Sequence, residues 1–461
     1  MKTLPADPFV PGGIAAFAKR LRRGEITAEA AASAYIERIK VLEPRLQAFE
    51  HVAADKALVQ ARSLDRLLVA GTDLGPLMGV PVAIKDLYAV DGMPTTAGSN
   101  VDVTGIIGPE GSFVKKLKRA GCVILGKTKT VEFALGAGNH HRGTPWNPWD
   151  GTIHRGPGGS SSGSAVAMAS GMCAFAIGSD TGGSVRIPAA LCGTFGLKTT
   201  VELWPTDGVF PLAPSFDTIG PLTASAADAA LFFATIQGTP VATAAAPGGL
   251  RLGRPTHHFF DDLEPEVENC VNAALDALTT AGVEIVPIEF PEAEEVTETF
   301  PIVSPTELLS VLGRDRFLNI RDRMDRDVAA RVANSLDVPA DLYIRLMWRQ
   351  DELRRATRRR MHGLDGIITP TVPMVAVPRE KFDDAAFEHA YHRAVPWNTR
   401  PGNVLGLCAT STPVQAFGSS LPVGLQILCE GFCEDRALTM ARTIEEIVGL
   451  PPRADLTPFL N

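Results

Sequence analysis

The sequence contains no long apolar run. Within its 461 residues, no stretch reaches the roughly 18 apolar residues that a membrane-spanning helix needs. The longest candidate, residues 164–178, is shorter and consists largely of Ala, Gly and Ser. The first eight residues also carry no apolar signal core. We therefore expect a cytoplasmic protein that does not insert into a membrane.

Clustered cysteines and clustered metal ligands are missing as well. The seven cysteines are odd in number, scattered along the chain and without a CxxC pair. Disulfide frameworks and zinc sites need regular spacing, so we expect reduced thiols that lie mostly in the core. Cys429 and Cys433 would need two more ligands to bind a metal, and no histidine is close to them in sequence. The sequence therefore predicts no metal site.

Positive charge is scarce relative to negative charge. The 44 Lys and Arg against 52 Asp and Glu give a formal net charge of −8, which argues against nucleic-acid binding. A hydrophobic content of 45% excludes a disordered chain. The 43 glycines and 35 prolines predict many tight turns or close backbone approaches. Five arginines lie on one probable helix, where we expect a solvated or ion-paired face: Arg354, Arg355, Arg358, Arg359 and Arg360.

Helix, strand and turn patterns follow one another repeatedly, which suggests α/β layering. Residues 27–42 have helical spacing, with Thr27 as the N-cap and Pro44 as the stop. An apolar run at residues 79–84 has strand length and ends at Lys85. We find no internal repeat and no break that separates independent domains. Further helices are predicted at 111–120, 164–171, 267–278, 435–448 and much of 305–362, strands at 121–126, 173–177, 283–288, 364–370 and 421–428, and a surface linker at 240–256.

Two familiar motifs match without the context that they require. Residues 121–128 fit the phosphate-loop pattern GxxxxGK[ST], but the intervening Cys-Val-Ile-Leu favours a buried strand and a helix pattern precedes it. Residues 159–163 fit the GxSxG pattern of a nucleophile elbow, yet no strand precedes them. A Ser-His-Asp triad stays open as a second serine-hydrolase interpretation because five histidines follow: His257, His258, His362, His389 and His392.

Three segments contain residues suited to catalysis. Lys85 follows an apolar run that places it in or beside the core, where a desolvated lysine can be neutral near pH 7. Residues 158–163 form a Gly/Ser cluster that a small-residue helix follows directly, unlike a flexible linker. Residues 180–186 form a second Gly-rich turn at the end of a strand, where open α/β sheets bind their ligands.

Together these segments supply the groups that acyl transfer requires. A serine that attacks a carbonyl carbon needs a base and an oxyanion hole. Neutral Lys85 would be the base, and a second serine would relay the proton. Consecutive backbone N–H groups of residues 181–184 would form the oxyanion hole, because the two glycines there allow a close approach.

At these residues the sequence resembles the amidase signature family, and the resemblance covers nearly the whole chain. The two parts of the signature lie at residues 158–164 and 178–188, and the spacing from Lys85 to both serines also agrees. The resemblance further explains the false phosphate-loop match, since residues 126–128 belong to a family block. Other blocks similar to the family are found at residues 79–86, 92–99, 132–133, 217–222 and 421–426.

The resemblance implies a Ser-cisSer-Lys triad. Ser184 matches the nucleophile, Ser160 matches the relay serine that follows a cis peptide bond, and Lys85 matches the base. Such a triad needs no metal and no organic cofactor, so we expect none. The resemblance also implies backbone contacts to the oxyanion from Thr181, Gly182, Gly183 and Ser184, and supporting roles for Ser161, Asp180 and Arg186.

The resemblance also implies the fold, which is one large α/β/α domain around a mixed, mostly parallel sheet. The domain would cover residues 1–461, with its catalytic core at about 70–235 and 405–450. Substrate specificity would depend on a variable region at about 290–405. Six residues of that region are candidates for an apolar pocket, although each taken singly is more often a core residue: Phe300, Phe317, Tyr343, Met347, Trp348 and Trp397.

Three functions are compatible with these observations. The main hypothesis is a stand-alone hydrolase that cleaves the carbon–nitrogen bond of a small-molecule amide, with carbamates or esters included. The alternative is the glutaminase subunit of a tRNA-dependent amidotransferase complex, although the chain is somewhat short for it and shows no clear motif for the charged groups of glutamine. A binding protein without catalysis is disfavoured because all three triad positions are intact. Beyond the substrate we expect no nucleic-acid or membrane partner, and a homodimer stays open.

Overall fold

Within the part of the chain that the structure describes, eleven strands form a mixed β-sheet at the centre of the fold. The computed structural model describes residues 3–136 and 138–460. The strands are β1 Phe49–Val52, β2 Pro81–Lys85, β3 Val123–Thr128, β4 Phe175–Ser179, β5 Phe195–Lys198, β6 Ile219–Thr223, β7 Arg251–Pro255, β8 Glu284–Ile288, β9 Gly366–Pro370, β10 Cys408–Pro413 and β11 Gly424–Cys429. Their order across the sheet is β1-β3-β2-β4-β6-β5-β10-β11-β9-β7-β8.

The strand directions confirm a mixed sheet and correct one expectation. Parallel pairs occur on both sides of the sheet, at β2–β3, β2–β4, β7–β8 and β7–β9. Every pair from β4 to β9 in sheet order is antiparallel, as is β1–β3. The sheet is therefore not mostly parallel, because its central strands reverse direction at each step. The single large α/β domain with helices flanking the sheet is as expected.

Seventeen α-helices in the described ranges accompany the sheet. They are α1 Gly13–Arg22, α2 Ala28–Leu46, α3 Ala54–Val69, α4 Thr104–Ile107, α5 Ser112–Arg119, α6 Ser162–Ala169, α7 Arg186–Cys192, α8 Ala226–Gln237, α9 Pro265–Thr280, α10 Pro291–Glu295, α11 Thr299–Leu312, α12 Arg314–Ile320, α13 Arg326–Ala333, α14 Ala340–Met361, α15 Ala385–Ala394, α16 Arg400–Val404 and α17 Glu434–Val448. None of these described helices is long and apolar enough to cross a membrane.

The helix that was predicted to stop at Pro44 begins as expected and ends later. The Thr27 side chain accepts a hydrogen bond from the Ala30 N–H at 3.0 Å, as an N-cap residue does. The helix α2 nevertheless continues through Pro44 to Leu46. Proline removes only one helical hydrogen bond in this last turn. The burial of Leu42 and Leu46, neither of which has exposed surface, holds the turn in place.

The segment predicted as a surface linker contains a strand. Residues 251–255 form β7, which lies between β8 and β9 in the sheet. Its central residues Leu252 and Gly253 are buried, whereas Arg251 is exposed. The strand was missed because its glycine and proline are typical of turns, and only its position between two other strands makes it regular.

The phosphate-loop match falls on a buried strand. All six residues of β3 are buried, and Lys127 lies within it. The Nζ atom of Lys127 forms an ion pair with Asp86 at 2.7 Å, and both side chains are at most 1% exposed. Lys127 therefore forms an ion pair in the core and is not available to bind a phosphate. This confirms that the match to the phosphate-loop pattern is accidental.

Two further expectations concern side chains outside the catalytic segments. All seven cysteines are free thiols, and all except Cys433 are buried. The arginine-rich face of α14 is solvated and ion-paired, as expected. Arg355, Arg358 and Arg359 are exposed, and Arg360 forms an ion pair with Glu292 at 2.8 Å.

The small-residue helix α6 packs closely enough to require glycine. A Cβ atom at Gly163 would lie 2.2 Å from the Ala48 carbonyl oxygen and 2.5 Å from the Lys129 nitrogen. Both neighbours are backbone atoms of adjacent structure and have little freedom to move. This packing fixes the start of α6, and with it the Ser160 and Ser161 residues that precede the helix.

Candidate active site

Lys85 is a buried lysine with two serine partners. It is the last residue of β2, and its side chain has no exposed surface. The Nζ atom lies 2.7 Å from Ser160 Oγ and 2.8 Å from Ser179 Oγ. Burial lowers the pKa of Lys85 to about 7, although the negative charges of Asp180 and Asp217 act in the opposite direction. A substantial share of Lys85 is therefore neutral at physiological pH.

Ser160 and Ser161 lie in the tight turn that leads into α6. The Gly159–Ser160 peptide bond is cis, and Gly158 has a φ of +75°, a conformation that favours glycine. Neither serine has exposed surface. Ser161 Oγ contacts the backbone N–H and C=O of Ser179, each at 3.3 Å, and its own N–H donates to the Ser184 carbonyl oxygen at 3.2 Å. These bonds hold the two Gly/Ser-rich turns together.

Ser184 is the member of the predicted triad that reaches the surface. It lies in the turn between β4 and α7, and 8% of it is exposed, whereas Lys85 and Ser160 are fully buried. Ser184 lines a small pocket together with Gly159 and Gly182. The structure therefore brings the three predicted catalytic residues to one site and gives solvent access to Ser184.

An ion pair without exposed surface supports the Ser184 turn. Arg186 and Asp180 are 2.9 Å apart and both 0% exposed. Burial acts to raise the pKa of Asp180, but the charges of Arg186 and Lys198 and the hydrogen bonds to the carboxylate hold it below its usual range. Arg186 also donates to Gln426 Oε1 and to the Thr399 carbonyl oxygen. The pair therefore connects the turn to β11 and to the start of α16.

The backbone N–H groups of the turn differ in their availability. The Gly183 N–H donates to Asp180 Oδ1 at 2.9 Å. The N–H groups of Thr181, Gly182 and Ser184 donate to no acceptor within the part of the chain that the structure describes. Unpaired N–H groups beside a serine are suited to an oxyanion. Three of the four predicted donors are therefore free, and Gly183 is already occupied.

The Ser184 pocket combines apolar and basic side chains. Its remaining lining residues are Ala134, Leu135, Gly136, Ile187, Leu212, Phe300, Arg331, His392, Val395, Pro396 and Arg400. A separate, larger cavity lies where residues 7–15 meet residues 450–454, and none of the predicted catalytic residues lines it. In the described ranges, no group of three His, Cys, Asp or Glu residues is placed to hold a metal.

One of the six candidate pocket residues lines this pocket. Phe300 lies against the Ser184 turn, where a Cβ atom at Gly182 would be 2.6 Å from its ring. Phe317 is a core residue, Trp348 is 67% exposed, and Trp397 stacks on His258 at 4.7 Å between centroids. The other two, Tyr343 and Met347, are partly buried against the core.

Several functional candidates were not found from the sequence. Ser179 belongs to the quoted signature, but only the fold shows that it contacts Lys85. Thr399 donates to the Gly182 carbonyl oxygen at 2.8 Å across a large sequence separation. The basic residues Arg331, His392 and Arg400 have no local motif, so no sequence signal assigned them to the pocket.

The GxSxG interpretation does not fit this geometry. Its central serine, Ser161, has no exposed surface and contacts the backbone of Ser179. A nucleophile elbow instead presents its serine to the substrate. Of the five histidines considered for such a triad, only His392 lines the Ser184 pocket. Its Nδ1 atom lies 3.3 Å from Asp327, an acid outside the GxSxG turn.

Comparisons with known proteins agree with this geometry. The Amidase family profile matches residues 30–438. The chain is 38% identical to a 2-amino-5-chloromuconic acid deaminase from Comamonas testosteroni, over 95% of this chain and 96% of the relative. It is 32% identical to a glutamyl-tRNA(Gln) amidotransferase subunit from Synechococcus sp., over 94% of this chain and 96% of the relative.

Solved structures show the same architecture. One described as an amidase superposes with a TM-score of 0.86 at 27% identity, covering 95% of this chain and all of the other. The native peptide amidase from Stenotrophomonas maltophilia gives a TM-score of 0.83 at 26% identity, covering 98% of this chain and all of the other. The chain therefore belongs to the amidase signature family and is a hydrolase of carbon–nitrogen bonds in amides.

Proposed function

We propose that this amide hydrolysis proceeds through an acyl-enzyme on Ser184, with Ser160 as the proton relay and Lys85 as the base. One observation carries the proposal, namely the 2.7 Å contact between Lys85 Nζ and Ser160 Oγ, two side chains with no exposed surface. A neutral lysine there accepts the Ser160 proton, which leaves Ser160 able to accept the Ser184 proton.

The proposed reaction has two balanced steps. Ser184 Oγ bonds to the amide carbonyl carbon while its proton passes through Ser160 to Lys85. The tetrahedral intermediate collapses when the carbon–nitrogen bond breaks, and the proton on Lys85 returns through Ser160 to the leaving amine. Water then attacks the ester on Ser184 with the same relay, and the carboxylic acid leaves while Ser184 regains its proton.

The proposed oxyanion hole consists of the N–H groups of Thr181, Gly182 and Ser184. These groups are free to donate and belong to the turn that carries Ser184. We leave Gly183 out because its N–H donates to Asp180. Asp180 and Arg186 have the structural task of holding the turn in the shape that presents these N–H groups.

The natural substrate is a small amide in this proposal. The relative from Comamonas testosteroni is named for the deamination of an amino-substituted acid, which supports a small organic molecule. The narrow Ser184 pocket supports the same size class. Carbamates and esters present a similar carbonyl and remain proposed substrates.

The glutaminase subunit is the second candidate, and the pocket gives it less support. Relatives named as glutamyl-tRNA(Gln) amidotransferase subunits are 31–33% identical to this chain. Free glutamine carries an ammonium group, and a site for it normally supplies a carboxylate. None of the described residues that line the Ser184 pocket is acidic. This observation favours a hydrolase that acts without a transamidation partner.

The first experiment is hydrolysis of a panel of alkyl and aryl amides, carbamates, esters and glutamine. Ser184→Ala, Ser160→Ala and Lys85→Ala are compared with the control variants Ser63→Ala and Lys56→Ala, which lie outside the pocket. We expect each of the first three to lose most activity and the controls to keep it. A serine-directed fluorophosphonate should label Ser184, as located by mass spectrometry of the labelled peptide.

Two results would redirect the proposal. If Ser184→Ala keeps full activity while His392→Ala loses it, the Ser-Ser-Lys assignment is wrong. If only glutamine is hydrolysed, and only after addition of cell extract, the chain is an amidotransferase subunit and not a stand-alone hydrolase.

We also propose a cytoplasmic location and no obligatory macromolecular partner, with a homodimer as the assembly to test. The free thiols support a reducing compartment, and the net charge of −8 supports the absence of a nucleic-acid partner. Size-exclusion chromatography with light scattering on the active enzyme measures the assembly directly.

A further inference from the structure

The Ser184 pocket contains two guanidinium groups from separate elements. Arg331 lies on α13 and Arg400 begins α16, and both line the pocket that opens onto Ser184. Neither residue belongs to the catalytic segments. Burying positive charge is costly unless an anion compensates it. The two partly desolvated arginines beside the catalytic site therefore indicate that an anion compensates them.

Arg331 has a protein counter-ion. Its Nε atom lies 3.5 Å from Asp327 Oδ2, one helical turn earlier on α13. The same carboxylate oxygen is 3.3 Å from His392 Nδ1. Asp327 therefore compensates Arg331 and orients His392, and its charge is shared between the two.

Arg400 has no such compensation. Its Nη2 atom donates to the His392 carbonyl oxygen at 2.9 Å, and its guanidinium carbon lies 5.0 Å from the centre of the Phe300 ring. The buried Nε atom has no hydrogen-bond partner, and no acid in the described ranges lies within ion-pair distance. Burial, followed by repulsion from Arg331 and Arg393, lowers the pKa of Arg400 to about 9.

The local charges therefore leave one positive charge without a partner. Three arginines lie in the pocket or act on its cations, namely Arg331, Arg400 and Arg393, whereas the acids that act on Arg331 are Asp327 and Glu388. Burial lowers the pKa of His392, which favours its neutral form. A guanidinium group matches the geometry of a carboxylate and binds it through two parallel hydrogen bonds. An anion placed here would complete the hydrogen bonding of Arg400.

From this juxtaposition we infer that the substrate is a small amide that also carries a carboxylate, bound by Arg400 with Arg331 beside it, in the pocket that Ser184 lines. The inference rests on the proposed function of Ser184 in the same pocket. The same lining also indicates that the substrate carries no ammonium group near that carboxylate. No described lining residue is acidic, so an ammonium group near that carboxylate would face two arginines without a counter-ion.

Three amides of equal chain length separate these possibilities. Glutaramate carries an amide and a carboxylate, pentanamide replaces the carboxylate by a methyl group, and glutamine adds an ammonium group to glutaramate. We expect kcat/KM for glutaramate to exceed that for pentanamide on the order of 10²-fold, as for one buried charged pair, and to exceed that for glutamine as well. Comparable values for glutaramate and pentanamide would overturn the inference.

Variants then identify the arginine that binds the substrate carboxylate. Arg400→Met should lower the ratio of kcat/KM for glutaramate to that for pentanamide on the order of 10²-fold, and Arg400→Lys should keep part of the ratio. Arg331→Met should lower the ratio less, because Asp327 already compensates its charge. The matched control Arg355→Met removes an exposed arginine and should leave the ratio unchanged. A wild-type ratio in Arg400→Met would contradict the assignment.

A binding measurement separates this inference from the proposed mechanism. Glutarate, a dicarboxylate without an amide, is titrated into Ser184→Ala and into Ser184→Ala/Arg400→Met by calorimetry. We expect binding to the first protein and at least tenfold weaker binding to the second. If no amide is hydrolysed in a Ser184-dependent way but glutarate binds through Arg400, the mechanism fails and the anion site stands. If glutarate binds neither protein, the anion site fails whatever the outcome for the mechanism.

Discussion

The Lys85 Nζ atom lies 2.7 Å from the Ser160 Oγ atom, and neither side chain has any exposed surface. In this arrangement protonated Lys85 can only donate to Ser160, whereas neutral Lys85 can accept the serine proton. The protonation state of Lys85 therefore decides whether the site is able to react.

The first prediction concerns pH. Because burial lowers the pKa of Lys85 to about 7, the reactive neutral form is lost as the pH falls below 7 and is dominant above it. We expect kcat/KM for an uncharged amide to rise about tenfold per pH unit on the acid side and to reach a plateau above about pH 8. The rate of Ser184 labelling by a fluorophosphonate should follow the same curve. A rate independent of pH from about pH 5 to pH 8 would contradict the role of Lys85.

The second prediction separates the two serine partners of Lys85. Ser160 and Ser179 are at nearly equal distances from Nζ, but only Ser160 belongs to the proposed relay. Ser160→Ala should lower kcat on the order of 10³-fold, because the proton path is interrupted. Ser179→Ala should lower it about tenfold, because Lys85 is oriented less well. Equal losses in the two variants would show that the serines act only by positioning Lys85.

The third prediction concerns the Asp180–Arg186 pair. Arg186→Leu leaves a buried carboxylate without its partner and should lower the free energy of unfolding by about 3–5 kcal/mol. Because the folded-state pKa of Asp180 lies below its unfolded value, the contribution of the pair is fully present above about pH 4 and declines progressively as the pH falls from there through the lowered folded-state pKa. Urea unfolding measures the change. The control is Arg22→Leu, which breaks a surface pair with Asp73 and should cost less than about 1 kcal/mol.

The fourth prediction concerns contact between Gly182 and Phe300. An alanine Cβ at position 182 would lie 2.6 Å from the Phe300 ring, so either the ring or the turn must move. Gly182→Ala should lower kcat/KM on the order of 10²-fold by displacing the oxyanion donors. Phe300→Leu removes ring atoms and should restore part of the rate in the double variant. If the double variant is no better than Gly182→Ala alone, the loss does not come from this contact.

Local chemistry made part of this site predictable from the sequence. Lys85 ends an apolar run, and Ser160 and Ser184 lie in turns that are rich in glycine. Such a glycine content is needed only where the backbone is tightly constrained. These signals are contained within a few residues, so the triad positions and the small-residue helix could be proposed before the fold was known. The resemblance to a family then ordered them into roles, which remain to be tested by the variants above.

The parts that escaped prediction depend on distant contacts. Pro44 looks like a helix stop, but the burial of Leu42 and Leu46 keeps α2 intact. Residues 251–255 resemble a linker and become a strand only between β8 and β9. Arg331 and Arg400 look like ordinary surface arginines in sequence, and only the folding of α13 and α16 around Ser184 turns them toward one pocket.

The origin of the pocket has a consequence for the evolution of this enzyme. Lys85, Ser160 and Ser184 come from β2 and from the turns beside α6 and β4, whereas Phe300 and Arg400 come from helices much later in the chain. Mutations in the later helices can therefore change which molecule is accepted without touching the groups that break the bond.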